Sequence, residues 1–526
     1  MIILSPEVYS KIGSGIDNAA NAVKATIGPL GRNIAFDPKM DVPYIINSGR
    51  EIVKHINFED KAVMVGVDVV KQAMEKAFWT GGDGSVATAV LVQSMWNDAV
   101  HMDAAGADAM AMMRGIRKAS EVALKVFRDS ADKVEGNDDI KALAKCAAGG
   151  REDIADIVTE VYDHIGPDGY VTVEDSQMAE THITYFKGMR WEKGFLGHFE
   201  EESIVLEDPY ILLVNRIINK FEDLAPILQQ VRDKNKSILI IAREVKDDVA
   251  STLHYLRDKA GLDVLAVQAP GYGDVRNSNM KYFGIMFGAT VFDEMMQDIQ
   301  TDMTLDDLGH AGKVVMNKKN VVIQGIPNPD DPIVEARRKE LYRDLEHIKN
   351  EDERYRIEQM LTPLAADTAE VKVGGVMEME MFERKYLVDN AIHNTYSALK
   401  AGFLPGGGKG FILAVPAVKE FAQTLSGDEK LGAQILADAL TKPAFQIAEN
   451  AGIDGKSTVE KLLAADDKYT GLNVLTEKFE DLRKGGVIDS MAVIESALIT
   501  AVSSVSTAIS VAACVVARDP EEEDYM

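Results

Sequence analysis

The chain changes its pattern of apolar residues twice, and this change constrains the fold more than any other feature of the sequence. Apolar residues recur at a spacing of about 3.6 over residues 7–25, 62–77 and 85–102, which is typical of amphipathic helices. We expect a further helical stretch over residues 140–165. Between residues 211 and 292, short apolar runs alternate with helical patterns, the rhythm of βαβ units. Helical spacing returns after residue 402. We therefore expect both ends of the chain to form one mainly helical domain, with the other domains inserted into it.

Length and charge set further limits. At 526 residues the chain exceeds what one hydrophobic core usually supports, so we expect several domains. The 57 basic and 84 acidic residues give a net charge of −27, which argues against a nucleic-acid partner. An anionic ligand must then be bound by local backbone geometry rather than by the overall field. The cysteines, Cys146 and Cys514, predict no disulfide framework and favour a reducing, cytoplasmic compartment.

One stretch raises the question of a membrane. Residues 496–517 contain no charged side chain, which is about the length of a membrane span. They are mainly Ala, Ser, Thr and Val rather than Leu, Ile and Phe. Residues 1–6 do not read as a signal peptide, because charged residues follow them at once. We expect residues 496–517 to form a buried helix, and we expect no membrane partner.

A glycine-rich turn at residues 81–84 carries an aspartate and leads directly into an apolar helix. Its glycines let backbone N–H groups approach an anion, and the positive end of the helix that begins near Ser85 faces the same place. Asp83 is suited to hold a cation that phosphates share. Taken alone, a plain helix-capping turn is the more ordinary explanation.

Three further loops extend this prediction to a nucleotide site, at residues 26–31, 406–408 and 487–489. None of the four loops matches a common phosphate motif, since Lys409 is followed by Gly410 where a P-loop requires Ser or Thr. The sequence also has no histidine pair at metal-binding spacing and no Gly-x-Ser-x-Gly elbow.

Seven stretches together resemble the GroEL-type (group I) chaperonins. They follow that family's order across nearly the whole chain, at residues 26–33, 82–84, 114–119, 169–175, 269–274, 305–309 and 406–408. The resemblance implies a multidomain fold: a mainly α-helical equatorial ATPase domain formed from both termini, a small α/β intermediate domain and an inserted α/β apical domain. The implied boundaries are 1–130 and 402–526 for the equatorial domain, 131–186 and 376–401 for the intermediate domain, and 187–375 for the apical domain.

The resemblance also implies ligands and partners. ATP and Mg²⁺ are the expected cofactors, with K⁺ as a further candidate cation. Non-native polypeptides would bind the apical domains, and a lid co-chaperonin would close a homo-oligomeric ring, which in this family has seven members.

By match to the family's motifs, one set of residues would hold the nucleotide. Asp83 would bind Mg²⁺, Gly84 and Ser85 would surround the phosphates, and Asp489 would bind the ribose hydroxyls. The full nucleotide-binding set is Thr26, Ile27, Gly28, Pro29, Asp83, Gly84, Ser85, Val86, Ala87, Gly407, Asn473 and Asp489. Gly188, Gly374 and Gly402 match hinge glycines.

The catalytic positions depart from the family's pattern. Ser48 stands where the family has one catalytic aspartate, and Asn390 stands at the other, three residues before His393. Asp389 is adjacent, but a shift of one residue turns a helical side chain by about 100°. Losing a general base typically costs about 10² to 10⁴ in rate, although an amide such as Asn390 can still orient a water. We expect ATP binding with slow or altered hydrolysis; the alternative is that Asp389, or another carboxylate in a repacked loop, restores the chemistry.

Apolar residues in the apical region predict a surface for polypeptides. Unfolded chains offer apolar surface without a fixed sequence, so an exposed apolar groove is required. Each residue by itself is equally well explained as core. The set is Phe195, Phe199, Leu224, Leu228, Val249, Leu253 and Tyr255.

The leading prediction is an ATP-driven folding chaperonin, and the alternative is a ring that uses nucleotide as a switch and holds clients with little turnover. The acidic end at residues 519–526 and the missing aspartates favour a divergent member encoded by a virus of bacteria. An unrelated metabolic enzyme is disfavoured, because no nucleophile, metal site or acid–base pair is visible outside the nucleotide loops.

Overall fold

The computed structural model describes residues 2–4, 7–36, 44–167, 169–176, 178–191, 193–196, 203–293, 303–347, 367–375 and 378–515, with isolated positions between 353 and 364. The chain divides into two compact units. The helical unit comprises Met1–Glu160, Gln177–Ala179 and Val373–Met526, and the mixed unit comprises Val161–Ser176 and Glu180–Lys372. Both ends of the chain therefore belong to one unit.

The described helices are α1 (Glu7–Lys24), α2 (Gly49–Lys54), α3 (Lys61–Gly81), α4 (Ser85–Ala104), α5 (Ala109–Ser130), α6 (Asn137–Ala147), α7 (Glu152–Ile165), α8 (Ala225–Asp233), α9 (Asp247–Ala260), α10 (Gly273–Phe287), α11 (Pro332–His347), α12 (Glu378–Ala401), α13 (Lys409–Ile412), α14 (Val415–Thr424), α15 (Gly427–Ala439), α16 (Lys442–Asn450), α17 (Gly455–Ala464) and α18 (Met491–Ala508). Short 3₁₀ turns occur at Phe221–Asp223 and Leu305–Asp307.

The described strands are β1 (Ile2–Leu4), β2 (Ile34–Phe36), β3 (Tyr44–Ile46), β4 (Tyr170–Asp175), β5 (His182–Trp191), β6 (Ser203–Glu207), β7 (Tyr210–Ile218), β8 (Ile238–Val245), β9 (Val264–Gln268), β10 (Val291–Phe292), β11 (Gly309–His310), β12 (Lys313–Asn317), β13 (Val321–Gln324), β14 (Asp367–Val373), β15 (Phe403–Pro405), β16 (Thr470–Asn473), β17 (Lys478–Asp481), β18 (Ile488–Ser490) and β19 (Ala513–Val515).

Helices α1, α3, α4, α5 and α18 pack around the main core of the helical unit. The buried face of α1 follows the helical period, with Val8, Ile12 and Ile16 at most 1% exposed. Helices α1 and α3 cross at a glycine in each: a Cβ atom on Gly15 would lie 2.0 Å from a carbonyl oxygen of α3, and one on Gly66 would lie 2.1 Å from that of Ile12. The two backbones touch because neither residue has a side chain.

The mixed unit contains two sheets. Strands β10, β7, β8 and β9 form a parallel sheet in that order, and β11 pairs antiparallel with β7. Successive residues of β7 point to opposite sides, since Ile211 and Leu213 join one buried cluster while Leu212 and Val214 join another. The sheet is thus buried on both faces. Strands β4, β14, β5, β13, β12 and β6 form the second sheet in that order.

The fold class predicted from the sequence is confirmed, and two elements differ. The helical pattern over residues 140–165 is broken into α6 and α7, because Gly149 and Gly150 take left-handed conformations with φ of 64° and 92°. The uncharged stretch 496–517 is a helix only to Ala508, after which β19 pairs with β1. Helix α18 is long and apolar enough to cross a membrane, but 67% of its residues are buried in the helical unit. The acidic end at 519–526 lies outside the described residues.

The division into five domain segments stays a prediction. Strand β5 runs without interruption through the proposed boundary between residues 186 and 187.

Candidate nucleotide site

Loops from three parts of the chain meet at the start of α4. A Cβ atom placed on Gly49 would lie 2.5 Å from Cγ2 of Val86 and 3.4 Å from Oγ1 of Thr26. Gly49 begins α2, Val86 lies in the first turn of α4, and Thr26 follows α1. The structure thus brings together the loop after α1, the turn before α2 and the glycine turn.

The loop after α1 is anchored by α16. Gly28 has a φ of 87°, and the carbonyl oxygen of Ile27 accepts a hydrogen bond from Nδ2 of Asn450 at 2.9 Å. Pro29 follows on the exposed side of this turn. The predicted residues 26–29 therefore form a loop that a hydrogen bond attaches to α16.

The turn between α3 and α4 needs its glycines for two reasons. Gly82 and Gly84 have φ values of 97° and 86°, in the left-handed region that other residues enter only at a cost. A Cβ atom on Gly82 would lie 2.6 Å from the carbonyl oxygen of His393, and one on Gly84 would lie 2.9 Å from Cγ1 of Val493. Helices α12 and α18 therefore contact the turn directly. The first N–H groups of α4 have no partner within the helix, which makes this turn a candidate anion site.

Asp83 lies beside a second carboxylate. Burial and the negative charge of Asp489 raise the pKa of Asp83 to about 6, although the backbone N–H groups of Gly84 and Ser85 and the charge of Arg50 oppose the rise. The carboxylate is still mostly ionised at neutral pH. A bound cation would relieve its repulsion with Asp489.

The donor set at Asp83 fits Mg²⁺. Among the described residues, no group of three or more His, Cys, Asp and Glu side chains could hold a metal ion. Mg²⁺ commonly keeps several waters and takes one or two carboxylates together with phosphate oxygens. A single desolvated carboxylate next to a candidate phosphate turn meets that requirement.

The hydroxyl groups of Ser85 and Thr26 donate hydrogen bonds to backbone carbonyls of the protein. Oγ of Ser85 donates to the carbonyl oxygen of Met74 at 3.2 Å, and Oγ1 of Thr26 donates to that of Val23 at 2.8 Å. The two residues after Ser85 carry no hydroxyl. Phosphate binding at Val86 and Ala87 would therefore rely on backbone N–H groups.

The residues predicted to hold the base and ribose lie on neighbouring strands. Asp489 in β18 pairs with Leu404 in β15, which leads into the turn that contains Gly407. A Cβ atom on Gly407 would lie 3.5 Å from the carbonyl oxygen of Leu472, the residue before Asn473. These residues share one side of the site, and the charge of Asp489 connects that side to Asp83.

Two contacts change what this side offers. Nδ2 of Asn473 donates to Oε1 of Glu480 at 2.7 Å, so its amide serves the hairpin of β16 and β17. Sγ of Cys146 donates to Oδ1 of Asp489 at 3.3 Å. Burial, and then the charge of Asp489, raise the pKa of the Cys146 thiol well above its usual range. Nothing in the sequence pattern had singled out Cys146, because α6 and β18 are distant in the chain.

Tyr386 brings together the two positions that lack carboxylates. Ser48 caps α2, and its Oγ accepts a hydrogen bond from the N–H of Glu51 at 3.2 Å. Ser48 and Asn390 are 4% and 5% exposed, and the side chain of Tyr386 lies next to both and interacts with them. Burial and the charge of Asp83 raise the pKa of Tyr386, so its phenol stays neutral.

A buried cation lies beside this group. The guanidinium carbon of Arg50 lies 3.9 Å from the ring centre of Phe78 and 6.0 Å from that of Tyr386. Oδ1 of Asp389 is 3.5 Å from Nε2 of His393. Burial would raise the pKa of Asp389, but His393 and the charge of Arg50 outweigh it and hold that pKa below its usual range. Asp389 is thus an ionised carboxylate already paired within the cluster.

Most of the residues predicted to bind polypeptides are core residues in this structure. Phe195, Leu224, Leu228, Val249 and Leu253 are between 0% and 8% exposed. They pack into the clusters on the two faces of the parallel sheet.

The expectation that these side chains present an apolar surface is therefore corrected: they stabilise α8, α9 and residues 193–196 from inside. Tyr255 is 62% exposed, and Phe199 lies outside the described residues.

The predicted hinge glycines have different surroundings. Gly188 lies within β5 opposite Gln324, and Gly374 follows β14. Gly402 ends α12 with a φ of 85°, and a Cβ atom there would lie 2.6 Å from the carbonyl oxygen of Asp132. The positive φ and this close approach are enough to require glycine at 402. The hinge role of all three glycines stays a prediction.

The architecture, a helical unit built from both ends of the chain with a mixed unit inserted, is that of a chaperonin subunit. The family model of the TCP-1/cpn60 chaperonin family matches residues 19–519, and the chain belongs to that family. A similar solved structure is that of the chaperonin gp146 from the bacteriophage EL 2 (Pseudomonas aeruginosa), determined in the presence of ATP-BeFx. It matches with a TM-score of 0.75 and 17% sequence identity over 99% of this chain and 100% of that chain. At this identity the likeness concerns the fold.

Proposed function

We propose that this chain is the subunit of an ATP-dependent chaperonin that encloses non-native polypeptides in a ring cavity and assists their folding, with slow or altered ATP hydrolysis. The observation that carries this proposal is the arrangement at the glycine turn. Asp83 and Asp489 lie together there, while Ser48 and Asn390 lie next to Tyr386 without a carboxylate at either position. The presence of ATP-BeFx in the phage neighbour supports a nucleotide ligand.

In this proposal ATP binds with Mg²⁺ at Asp83, and K⁺ is a further candidate cation. The ring is homo-oligomeric with seven subunits, as the GroEL-type resemblance implies, and a lid co-chaperonin closes it. The protein acts in the cytoplasm, without nucleic acid or membrane partners. Client contacts fall to exposed groups such as Tyr255, because the aliphatic residues of α8 and α9 are buried.

A second candidate function is a ring that uses nucleotide as a conformational ligand and holds clients with little turnover. The neutral groups at Ser48 and Asn390 favour it, since neither accepts a proton as a carboxylate does. Refolding of a denatured client with ATP, compared with a non-hydrolysable analogue, separates the two: equal yields support the holding ring.

The deciding measurement is phosphate release by the purified assembly, with nucleotide affinity measured in parallel and rings confirmed by negative-stain microscopy. We expect ATP to bind and to turn over slowly. We expect S48D combined with N390D to raise the turnover rate by about 10²-fold or more, because a carboxylate base typically contributes that much. Fast turnover by the unmodified protein would contradict the proposal of slow hydrolysis.

The variant D389N tests the alternative base. Asp389 is engaged by His393 and Arg50, so we expect D389N to change the hydrolysis rate by less than about threefold, far below the loss of a general base. A loss of about 10² or more with intact nucleotide binding would identify Asp389 as the base instead.

A further inference from the structure

Two buried polar side chains near the glycine turn lie next to the same tyrosine. Ser48 belongs to the turn before α2 and Asn390 to α12, and the side chain of Tyr386 lies next to both. Tyr386 precedes Asn390 by one helical turn, so the two side chains lie on the same face of α12. A neutral group thus occupies the place where the family resemblance implies two carboxylates.

One atom of this group is not satisfied by the protein. Oδ1 of Asn390 is buried and has no hydrogen-bond partner among the residues that the structure describes. A buried acceptor left without a donor lowers the stability of the folded protein, because it has lost its hydrogen bonds to water. This loss is avoided if a small donor such as water binds there.

The helix that carries this group packs against the glycine turn at residues 81–84. The guanidinium of Arg50 stacks on Phe78 at 3.9 Å and lies 6.0 Å from the ring of Tyr386. The rings of Phe78 and His393 are 5.5 Å apart, and the carbonyl of His393 leaves no room for a side chain on Gly82. Helix α12 is therefore seated on the turn that carries Asp83.

We propose that Tyr386 is a positioning residue for ATP hydrolysis: it orients the amide of Asn390, whose Oδ1 accepts a hydrogen bond from the attacking water. The inference rests on the proposed ATPase function. The water oxygen forms a bond to the terminal phosphorus while the bond from that phosphorus to the β,γ-bridging oxygen breaks, and ADP leaves. The proton of the water passes to a phosphate oxygen and then to solvent, because neither an amide nor a neutral phenol is a base.

The test compares Y386F with Y396F, a matched tyrosine change on the same helix. We expect Y386F to lower the single-turnover rate of phosphate release by about 10- to 100-fold, as a misplaced reacting group does. The nucleotide Kd should change less than about twofold, far less than the rate, because the hydroxyl acts on the water rather than on ATP. We expect Y396F to leave both unchanged.

A double variant separates positioning from a merely structural role. N390D supplies its own base, so Y386F should lower the rate by less than about threefold in the N390D background. The rate of N390D should also fall at acid pH as its carboxylate protonates, whereas the unmodified protein has no such base to titrate.

The outcomes are distinct. If the unmodified protein binds no ATP, the proposed function itself fails. Binding without turnover, a Y386F rate equal to that of the unmodified protein, or a parallel loss of rate and affinity in Y386F would each overturn the role of Tyr386 alone. If Y386F does not assemble, S48A removes the other polar neighbour of Tyr386; we expect the same direction of change, and an unaltered rate would overturn the inference.

Discussion

At the scale of single residues, several polar groups of the candidate site already have hydrogen-bond or ion-pair partners within the protein. Ser85 and Thr26 have hydroxyl groups in suitable positions along the chain, but both donate to backbone carbonyls. Asp389 is a carboxylate in the right helix, but it is paired with His393. Residue type alone therefore overstates the chemistry available to a nucleotide.

Cys146 illustrates the same point and yields a prediction. Burial and the neighbouring Asp489 raise the pKa of its thiol well above the usual range, and the thiolate is the reactive form. In a C514A background we expect maleimide to label Cys146 at least about tenfold more slowly than a free thiol at the same pH, since each unit of pKa removes tenfold of the thiolate.

The matched variant for that measurement is D489N, which removes the carboxylate that Cys146 contacts at 3.3 Å. Labelling should become faster in D489N and faster still in urea. Labelling of the folded protein at the rate of a free thiol would contradict the assignment.

At the scale of elements, contacts between backbones place the helices that carry the site. Gly15 and Gly66 let α1 and α3 touch, and α3 leads into the turn that holds Asp83. Glycine inside a helix costs stability by itself, so its presence at a crossing reflects the gain from close packing.

We expect G66A to destabilise the helical unit by about 1–3 kcal/mol, because the new methyl group would lie 2.1 Å from the carbonyl oxygen of Ile12 and force the helices apart. Urea unfolding measures the change. G136A is the control, since nothing lies within 4 Å of a Cβ atom there. A G66A protein as stable as the unmodified one would show that α1 and α3 separate without cost.

At the scale of the whole molecule, each unit has its own means of stabilisation. Both units have apolar cores, and the mixed unit also has a charged network that joins its strands. Nζ of Lys313 lies 2.6 Å from Oε1 of Glu370, and Glu174 is its other close partner. Lys313 and Glu370 are 13% and 5% exposed. Burial would raise the pKa of Glu370, but Lys313 and Lys372 outweigh it and hold that pKa below its usual range.

A carboxyl whose pKa is lowered by folding stabilises the protein above its unfolded pKa, about 4.3 for Glu, and this contribution is lost as the pH falls through the folded value. We expect the mixed unit to lose stability in acid, and we expect E370Q to weaken that pH dependence.

We expect K313M to lower the free energy of unfolding by about 3–5 kcal/mol at neutral pH, because it leaves a buried carboxylate without its main cation.

Unfolding followed through Trp191, which is 3% exposed in this unit, measures the change. K339M is the control, since its exposed pair with Glu335 should contribute less than about 1 kcal/mol. Equal decreases in the free energy of unfolding from K313M and K339M would show that burial does not strengthen the ion pair of Lys313.

The sequence by itself determined that both ends of the chain form one mainly helical unit, that an α/β region is inserted into it, and that a glycine turn lies at Asp83. Apolar periodicity is a local property of a helix or strand, and the backbone freedom of glycine is local too, so neither requires knowledge of distant contacts. The periodic pattern alone predicted one helix over residues 140–165, whereas Gly149 and Gly150 separate α6 from α7.

Only the tertiary structure decided which polar groups meet and which apolar faces are core. Ser48 is distant in the chain from Tyr386 and Asn390, and their proximity depends on how α12 packs on the turn before α4. An amphipathic pattern states that one face of a helix is apolar but not what covers it, so Leu228 and Leu253 were as compatible with a client surface as with the core that they form. The physical reason is the same in both cases: burial is a property of contacts between segments, and those contacts exist only in the folded chain.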